Sequence, residues 1–100
     1  MNSVLEGTLK TLRTHESELR ALGVRHAAVF GSVARGEATS ESDIDVLIDL
    51  DRNHPMGIFE YSRIKLHIAD LLGHATDVVN RATLKPLLRD NILNDAIDAF

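Results

Sequence analysis

Phe30 to Asp49 reads FGSVARGEATSESDIDVLID, and this stretch decides how the rest of the chain is arranged. An apolar run ends at a Gly-Ser turn, a polar segment follows, and a second run opens with two aspartates separated by one residue. Side chains alternate between the faces of a strand, so Asp43 and Asp45 project from one face. Such like charges repel unless a cation neutralises them. The stretch therefore predicts a phosphate-binding turn facing a metal-binding pair of carboxylates.

The flanking sequence predicts a small sheet covered by helices. Apolar residues at helical spacing indicate helices over 3–22, from 58 to about 73, and from 83 to the C-terminus, with one helical turn over 32–35. Short apolar or alternating runs indicate strands over 26–30, 43–50 and 75–79, the first buried on both faces. The order helix, strand, strand, helix, strand, helix predicts an α/β (α+β) two-layer domain with a small mixed sheet.

Length and composition limit the class of protein. One hundred residues support one hydrophobic core, so we expect residues 1–100 to form a single domain. No cysteine is present, and no apolar stretch approaches the roughly 20 residues that a membrane span needs. The formal net charge of −4 does not favour nonspecific attraction to nucleic acid. We therefore expect a cytoplasmic protein that has no membrane partner and no direct nucleic-acid partner.

Three further features favour a nucleotide site. Gly31-Ser32 follows the first strand directly, and a residue without Cβ lets backbone N–H groups approach phosphate oxygens closely. Asp77 lies early in the third strand and brings a third carboxylate to the same face if the strands are neighbours. Arg35 lies in the connecting segment, where its guanidinium would offset phosphate charge. Each feature is weak alone, because Gly-Ser is a common turn and an Asp at the start of a strand is common too. An isolated Asp-x-Asp is likewise more often the solvated face of an edge strand.

Together these segments match a known pattern. The Gly-Ser, Ala-Arg-Gly and Ser-Asp-x-Asp segments resemble the polymerase-beta-like nucleotidyltransferase superfamily, and specifically its minimal nucleotidyltransferases, the MntA-type antitoxin partners of HEPN proteins. The resemblance runs from about residue 23 to about residue 93. Val33 and Val46 depart from residues that many relatives carry, and neither position is a ligand in the pattern.

The resemblance implies a role for each residue of the motif. Gly31 and Ser32 would hold the β- and γ-phosphates of ATP, with Arg35 beside them. Three carboxylates would hold two Mg²⁺ ions, whose preferred ligands are oxygens: Asp43, Asp45 and Asp77. The third of these would also deprotonate the attacking hydroxyl. Two metals would then support an in-line attack on the α-phosphorus, with pyrophosphate leaving.

The resemblance also implies a partner. AMP would be transferred from ATP to a tyrosine hydroxyl of a HEPN-type toxin ribonuclease, which would make this chain the antitoxin. One hundred residues leave no second domain to bind an acceptor, which agrees with a protein acceptor. Two alternatives stay open: an antitoxin that neutralises its toxin by binding alone, and transfer to a small molecule such as an aminoglycoside. The apolar final helix leaves homo- or hetero-oligomers open as well.

Overall fold

The computed structural model describes residues 3–39 and 41–100, which form a four-stranded sheet with helices on both faces. The helices are α1 (Ser3–Thr14), α2 (Glu16–Ala21), α3 (Gly31–Arg35), α4 (Ile58–Leu72) and α5 (Pro86–Asp95). The strands are β1 (Val24–Phe30), β2 (Ile44–Leu50), β3 (Thr76–Asn80) and β4 (Ile97–Asp98). The strand order is β3-β2-β1-β4, with β2 and β3 parallel and the other pairs antiparallel. This mixed sheet confirms the predicted α+β architecture.

The main core lies between one face of the sheet and helices α1, α2 and α4. Its large side chains that are no more than 1% exposed are Leu12, Leu19, Val33, Ile64 and Ile68 from the helices and Val24, Val29, Val46 and Ile48 from the strands. The alternation of β2 produces this pattern, because every second side chain points to the same face. Across the described residues, no helix combines the length and the apolar character needed to cross a membrane.

Helix α5 covers part of the opposite face and forms a smaller group of apolar contacts, which we call the α5 cluster. Its members are Ala28, Phe30 and Leu47, with Val79, Leu84, Ile92, Leu93 and Ala96 packed against them. Leu47 belongs to the set of β2 side chains that includes Asp45, so α5 packs on the face of the sheet that carries the aspartates. Four consecutive residues of β1 are buried, 27–30, which confirms that this segment is covered on both sides.

The predicted helix over 3–22 is divided at His15 into α1 and α2. Helical hydrogen bonds continue across the break, since the N–H of His15 donates to the carbonyl of Thr11 and its carbonyl accepts from the N–H of Leu19. The prediction was therefore right in type and wrong in continuity. Apolar residues on both sides of the break keep one face, so their spacing does not reveal it.

The predicted helix from 83 to the C-terminus is wrong at its end. Helix α5 stops at Asp95, the next residue is extended, and β4 pairs with the free edge of β1. Beyond β4, the N–H of Ala99 donates to the carbonyl of Ala27 at 2.8 Å. The backbone groups of β1 need partners on that edge, and this requirement overrides a four-residue apolar spacing that mimics a helix.

We predict that Ile68→Ala lowers the free energy of unfolding by about 2–5 kcal/mol, because Ile68 is fully buried and its loss leaves a cavity. The matched control is Leu66→Ala in the same helix, where the side chain is 72% exposed, and its effect should stay within about 0.5 kcal/mol. Urea unfolding followed by circular dichroism measures both. Equal effects would show that α4 packs through a different face.

Candidate active site

The strand register brings the motif residues together at one end of the sheet. Asp45 in β2 lies directly opposite Asp77 in β3, and on its other side it pairs with Phe30, the last residue of β1. Gly31 follows immediately and begins α3. Asp43 precedes β2 by one residue. The assumption that β2 and β3 are neighbours, on which the inclusion of Asp77 depended, is therefore correct.

Gly31 is required at its position for two reasons. Its φ of 72° lies in the left-handed region, which side chains with a Cβ rarely adopt. A Cβ built on it would also collide with the carboxylate of Asp45, lying 3.2 Å from its Cγ and closer still to one oxygen. The turn thus passes against this carboxylate at the start of α3, and the half-buried Ser32 is the next residue.

The three aspartates form one electrostatic unit, which we call the aspartate cluster (Asp43, Asp45 and Asp77). Burial raises the pKa of Asp45, and the negative charges of Asp77 and Asp43 raise it further. The positive charge of Arg35 acts in the opposite direction and lowers this pKa. The net shift is upward, so the effect of Arg35 is smaller than the combined effects of burial and of the two neighbouring carboxylates.

The aspartate cluster suits a hard divalent cation in its chemistry. Carboxylate oxygens are the ligands that Mg²⁺ prefers. Burial, together with the charges of Asp77 and Asp43, raises the pKa of Asp45 and so disfavours its charged form. In the part of the chain that the structure describes, no three acidic or histidine side chains converge closely enough to hold a metal ion as they stand. The role of these residues as metal ligands therefore stays a prediction, supported by donor type, strand register and charge.

Arg35 does not point freely toward the turn. Its Nε donates to Glu37 at 2.9 Å and its Nη1 donates to Asp95, the last residue of α5, at 2.6 Å. These two carboxylates, Glu37 first, raise the pKa of the guanidinium. Its role as a nucleotide ligand stays a prediction. Sequence reasoning missed Asp95, which lies 60 residues away in the chain and carries no local signal.

Tyr61 in α4 lies near enough to the aspartate cluster to be influenced by Asp77. It is half-buried against the main core, and that burial raises its pKa. A hydrogen bond with the backbone of Asn80 lowers this pKa, whereas the charge of Asp77 raises it. Tyr61 therefore packs against the main core and also borders β3.

Comparison with known proteins agrees with this architecture. The family model for the nucleotidyltransferase domain matches residues 12–99. Protein adenylyltransferase MntA of Thermococcus cleftensis is 33% identical over 94 residues, which cover 93% of each chain. A solved structure assigned as a minimal nucleotidyltransferase is 36% identical, with a TM-score of 0.68 over 89% of this chain and 93% of that chain.

A more distant match adds support for the fold alone. It is a chain from the complex of tri-AMPylated Shewanella oneidensis HEPN toxin with MNT antitoxin. The identity is 15% and the TM-score 0.62, over 92% of this chain and 71% of that chain. The four-stranded arrangement is therefore retained where most side chains differ.

We predict that Gly31→Ala destabilises the fold more than Gly73→Ala. Both glycines have a positive φ, 72° and 61°, so both substitutions carry the backbone cost of about 1–2 kcal/mol. No atom lies within 4 Å of a Cβ at Gly73, whereas a Cβ at Gly31 meets Asp45, which should add at least about 1 kcal/mol. Thermal or urea unfolding measures the difference, and equal losses would contradict the close approach of the turn to this carboxylate.

We predict that Asp45→Asn raises the free energy of unfolding at pH 7 in buffer with a metal chelator. The folded-state pKa of Asp45 is raised, so the folded chain holds this proton to higher pH than the unfolded chain does. Stability is therefore greatest below the ordinary Asp value and falls as the pH rises through the raised one. Because Asn carries no charge, the variant should exceed the wild type in free energy of unfolding at pH 7 by up to about 1 kcal/mol. The exposure of the site to water limits this difference.

The gain from Asp45→Asn should disappear near pH 3, where the carboxyl is protonated in both states. Asp49→Asn provides the control, because Asp49 lies on the same face of β2 but at the other end of the strand. Unfolding curves at several pH values measure both variants. A loss of stability in Asp45→Asn at pH 7 would show that the cluster is not held under repulsion.

Proposed function

Because this chain belongs to the nucleotidyltransferase domain family, we propose that it transfers AMP from ATP to a hydroxyl of a HEPN-type toxin and thereby acts as the antitoxin. One observation carries the proposal: Asp45 lies opposite Asp77 and against Gly31, which gathers acidic residues and a close-approach turn at one edge. The name of the Thermococcus cleftensis relative, a protein adenylyltransferase, supports the group that is transferred. The AMPylated HEPN toxin in the Shewanella oneidensis complex supports the kind of acceptor.

The turn at Gly31 and Ser32 is the proposed site for the phosphates of ATP. Gly31 has no Cβ and a positive φ, so no side chain of its own covers the backbone N–H groups at the start of α3. Phosphate oxygens can therefore approach these N–H groups. The turn lies directly beside Asp45, which brings the triphosphate next to the aspartate cluster. Arg35 follows in the same short helix and adds positive charge there.

The aspartate cluster is the proposed holder of two Mg²⁺ ions. When bound, such ions neutralise charge on the phosphates and stabilise the departing pyrophosphate. The protein's own contribution is positioning, because parallel pairing of β2 and β3 fixes two of the three carboxylates in register. Asp43, outside the strand and exposed, supplies the third.

Asp77 is the proposed general base. It is exposed on β3, which is an edge strand, so an acceptor protein can approach it from solvent. The acceptor O–H gives its proton to this carboxylate, a bond forms between the acceptor oxygen and the α-phosphorus, and the bond to pyrophosphate breaks. We take the acceptor to be tyrosine, since a phenol loses its proton more readily than an aliphatic hydroxyl.

The test uses labelled ATP, Mg²⁺ and the HEPN-type protein encoded beside this chain. We expect transfer of the label to a toxin tyrosine by the wild type, and at least about 100-fold slower transfer by Asp77→Asn, the range that loss of a general base costs. Asp43→Asn should be comparably slow. Asp49→Asn, on the same face of β2 but at its far end, should transfer at close to the wild-type rate.

Three results would contradict the proposal. Equal transfer by wild type and Asp43→Asn would remove the aspartate cluster from catalysis. Full protection of cells from the toxin by the triple Asn variant of the cluster would favour neutralisation by binding alone. Adenylylation of an aminoglycoside without any protein acceptor would instead indicate a small-molecule substrate.

A further inference from the structure

Helix α3 is too short to fix its own position. It has five residues, and an isolated helix of that length is unstable in water, so tertiary contacts must hold it. Two of these contacts are apolar. Phe30, which directly precedes α3, is 8% exposed in the α5 cluster, and Val33 is 1% exposed in the main core on the other side of the sheet.

Arg35 supplies a third anchor at the opposite end of α3. Glu37 binds its Nε but is only two residues away, so this contact stays within the same loop. Asp95 accepts from Nη1 at 2.6 Å and belongs to α5, so this contact joins two elements. The Asp95 side chain is 29% exposed, less than the side chains of Arg35 and Glu37.

The position of Asp95 is itself fixed by packing next to the active site. Ile92, Leu93 and Ala96, which flank it in and after α5, contact the α5 cluster that contains Phe30. Helix α5 therefore contacts both ends of α3. It packs on Phe30, which directly precedes α3, and its last residue, Asp95, binds Arg35 at the end of α3. A displacement of the end of α5 would therefore act on both ends of α3, the helix that begins with the Gly31–Ser32 turn.

We propose that Asp95 is a positioning residue for nucleotidyl transfer, acting through Arg35 to hold the Gly31–Ser32 turn against Asp45. This inference rests on the proposed function, because it assigns to the turn a substrate that must be aligned. The geometry gives the position little tolerance, since the turn has no room for even a methyl group beside Asp45. Misplacement of a positioning group by about 1 Å can cost up to roughly 100-fold in rate.

The experiment is a double-mutant cycle on Arg35→Met and Asp95→Asn. The matched control cycle is Arg20→Met and Glu16→Gln, another arginine–carboxylate pair, at 2.7 Å within α2. We expect each site variant to lower kcat for AMP transfer about tenfold, and Asp95→Asn to change the Kd of ATP less than about threefold. The double variant should be no slower than the slower single variant, because Asp95 acts only through Arg35. The control cycle should leave kcat unchanged.

Hydrogen exchange supplies a readout that does not depend on catalysis. The N–H of Gly36 donates to the carbonyl of Val33, and the N–H of Glu37 donates to that of Ser32, so both amides report on the closure of α3. We expect both to exchange severalfold faster in Asp95→Asn and in Arg35→Met, and at the wild-type rate in the control variants. Thermal unfolding of all variants should shift no more than it does in the control cycle.

The outcomes separate this inference from the proposed function. Additive losses in the double variant, or an Asp95→Asn protein with wild-type kcat and exchange, would overturn the positioning role. Weaker ATP binding in Arg35→Met with tighter binding in Asp95→Asn would also overturn it, by making Arg35 a direct phosphate ligand that Asp95 restrains. If the wild type transfers no AMP, the proposed function fails, and hydrogen exchange alone decides whether Asp95 holds α3.

Discussion

The parallel pairing of β2 with β3 is the constraint on which the site depends. It sets Asp45 opposite Asp77, although two carboxylates in solution would move apart. Burial raises the pKa of Asp45, and repulsion from Asp77 and Asp43 raises it further. Backbone hydrogen bonds and the apolar side chains behind them therefore hold Asp45 and Asp77 together against their charge. The opposite face of the same strands supplies that support, with Val46 and Ile48 completely or almost completely buried.

The packing on both faces of the sheet also holds the turn at Gly31 and Ser32 in place. The turn begins where β1 ends, and β1 lies between β2 and β4 with its last four residues buried. Phe30 packs in the α5 cluster and Val33 in the main core, so the start of α3 is held by contacts on both sides of the sheet. Gly31 can then take a backbone conformation that other residues avoid, because its neighbours impose it.

Local pattern was enough to predict much of this molecule. The Gly-Ser pair after a buried strand predicted the turn at the start of α3, a feature that depends on neighbouring residues only. The spacing in Asp43-Ile44-Asp45 predicted two carboxylates on one face of a strand, but β2 begins at Ile44, so their common direction stays a prediction. The helix over 58–72 was also predictable, because its apolar residues recur at helical spacing and Gly73 adopts the left-handed cap. Only one long-range relation was predicted, the proximity of Asp77, and it required the assumption that β2 and β3 pair.

The features that escaped prediction are long-range contacts without a periodic signal. The strand β4 has two residues, and it forms because the edge of β1 offers unpaired backbone groups. Asp95 reaches Arg35 because α5 ends at that point, and α5 ends there because the chain turns to pair with β1. The two omissions therefore have one cause: a sequence read as one continuous helix hides both the strand and the carboxylate at the helix end.

Asp45 and Asp77 differ in their exposure to solvent, and this difference determines what each carboxylate can contact. Asp45 is half-buried, flanked by the turn on one side and by β3 on the other, so it faces what the turn binds. Asp77 is exposed on an edge strand, so it faces what arrives from solvent. The two sides of this site therefore differ: packing against the turn restricts the side of Asp45, whereas the side of Asp77 is reachable from solvent. Because β3 is an edge strand, Asp77 stays accessible to a second molecule even though Asp45 beside it is half-buried.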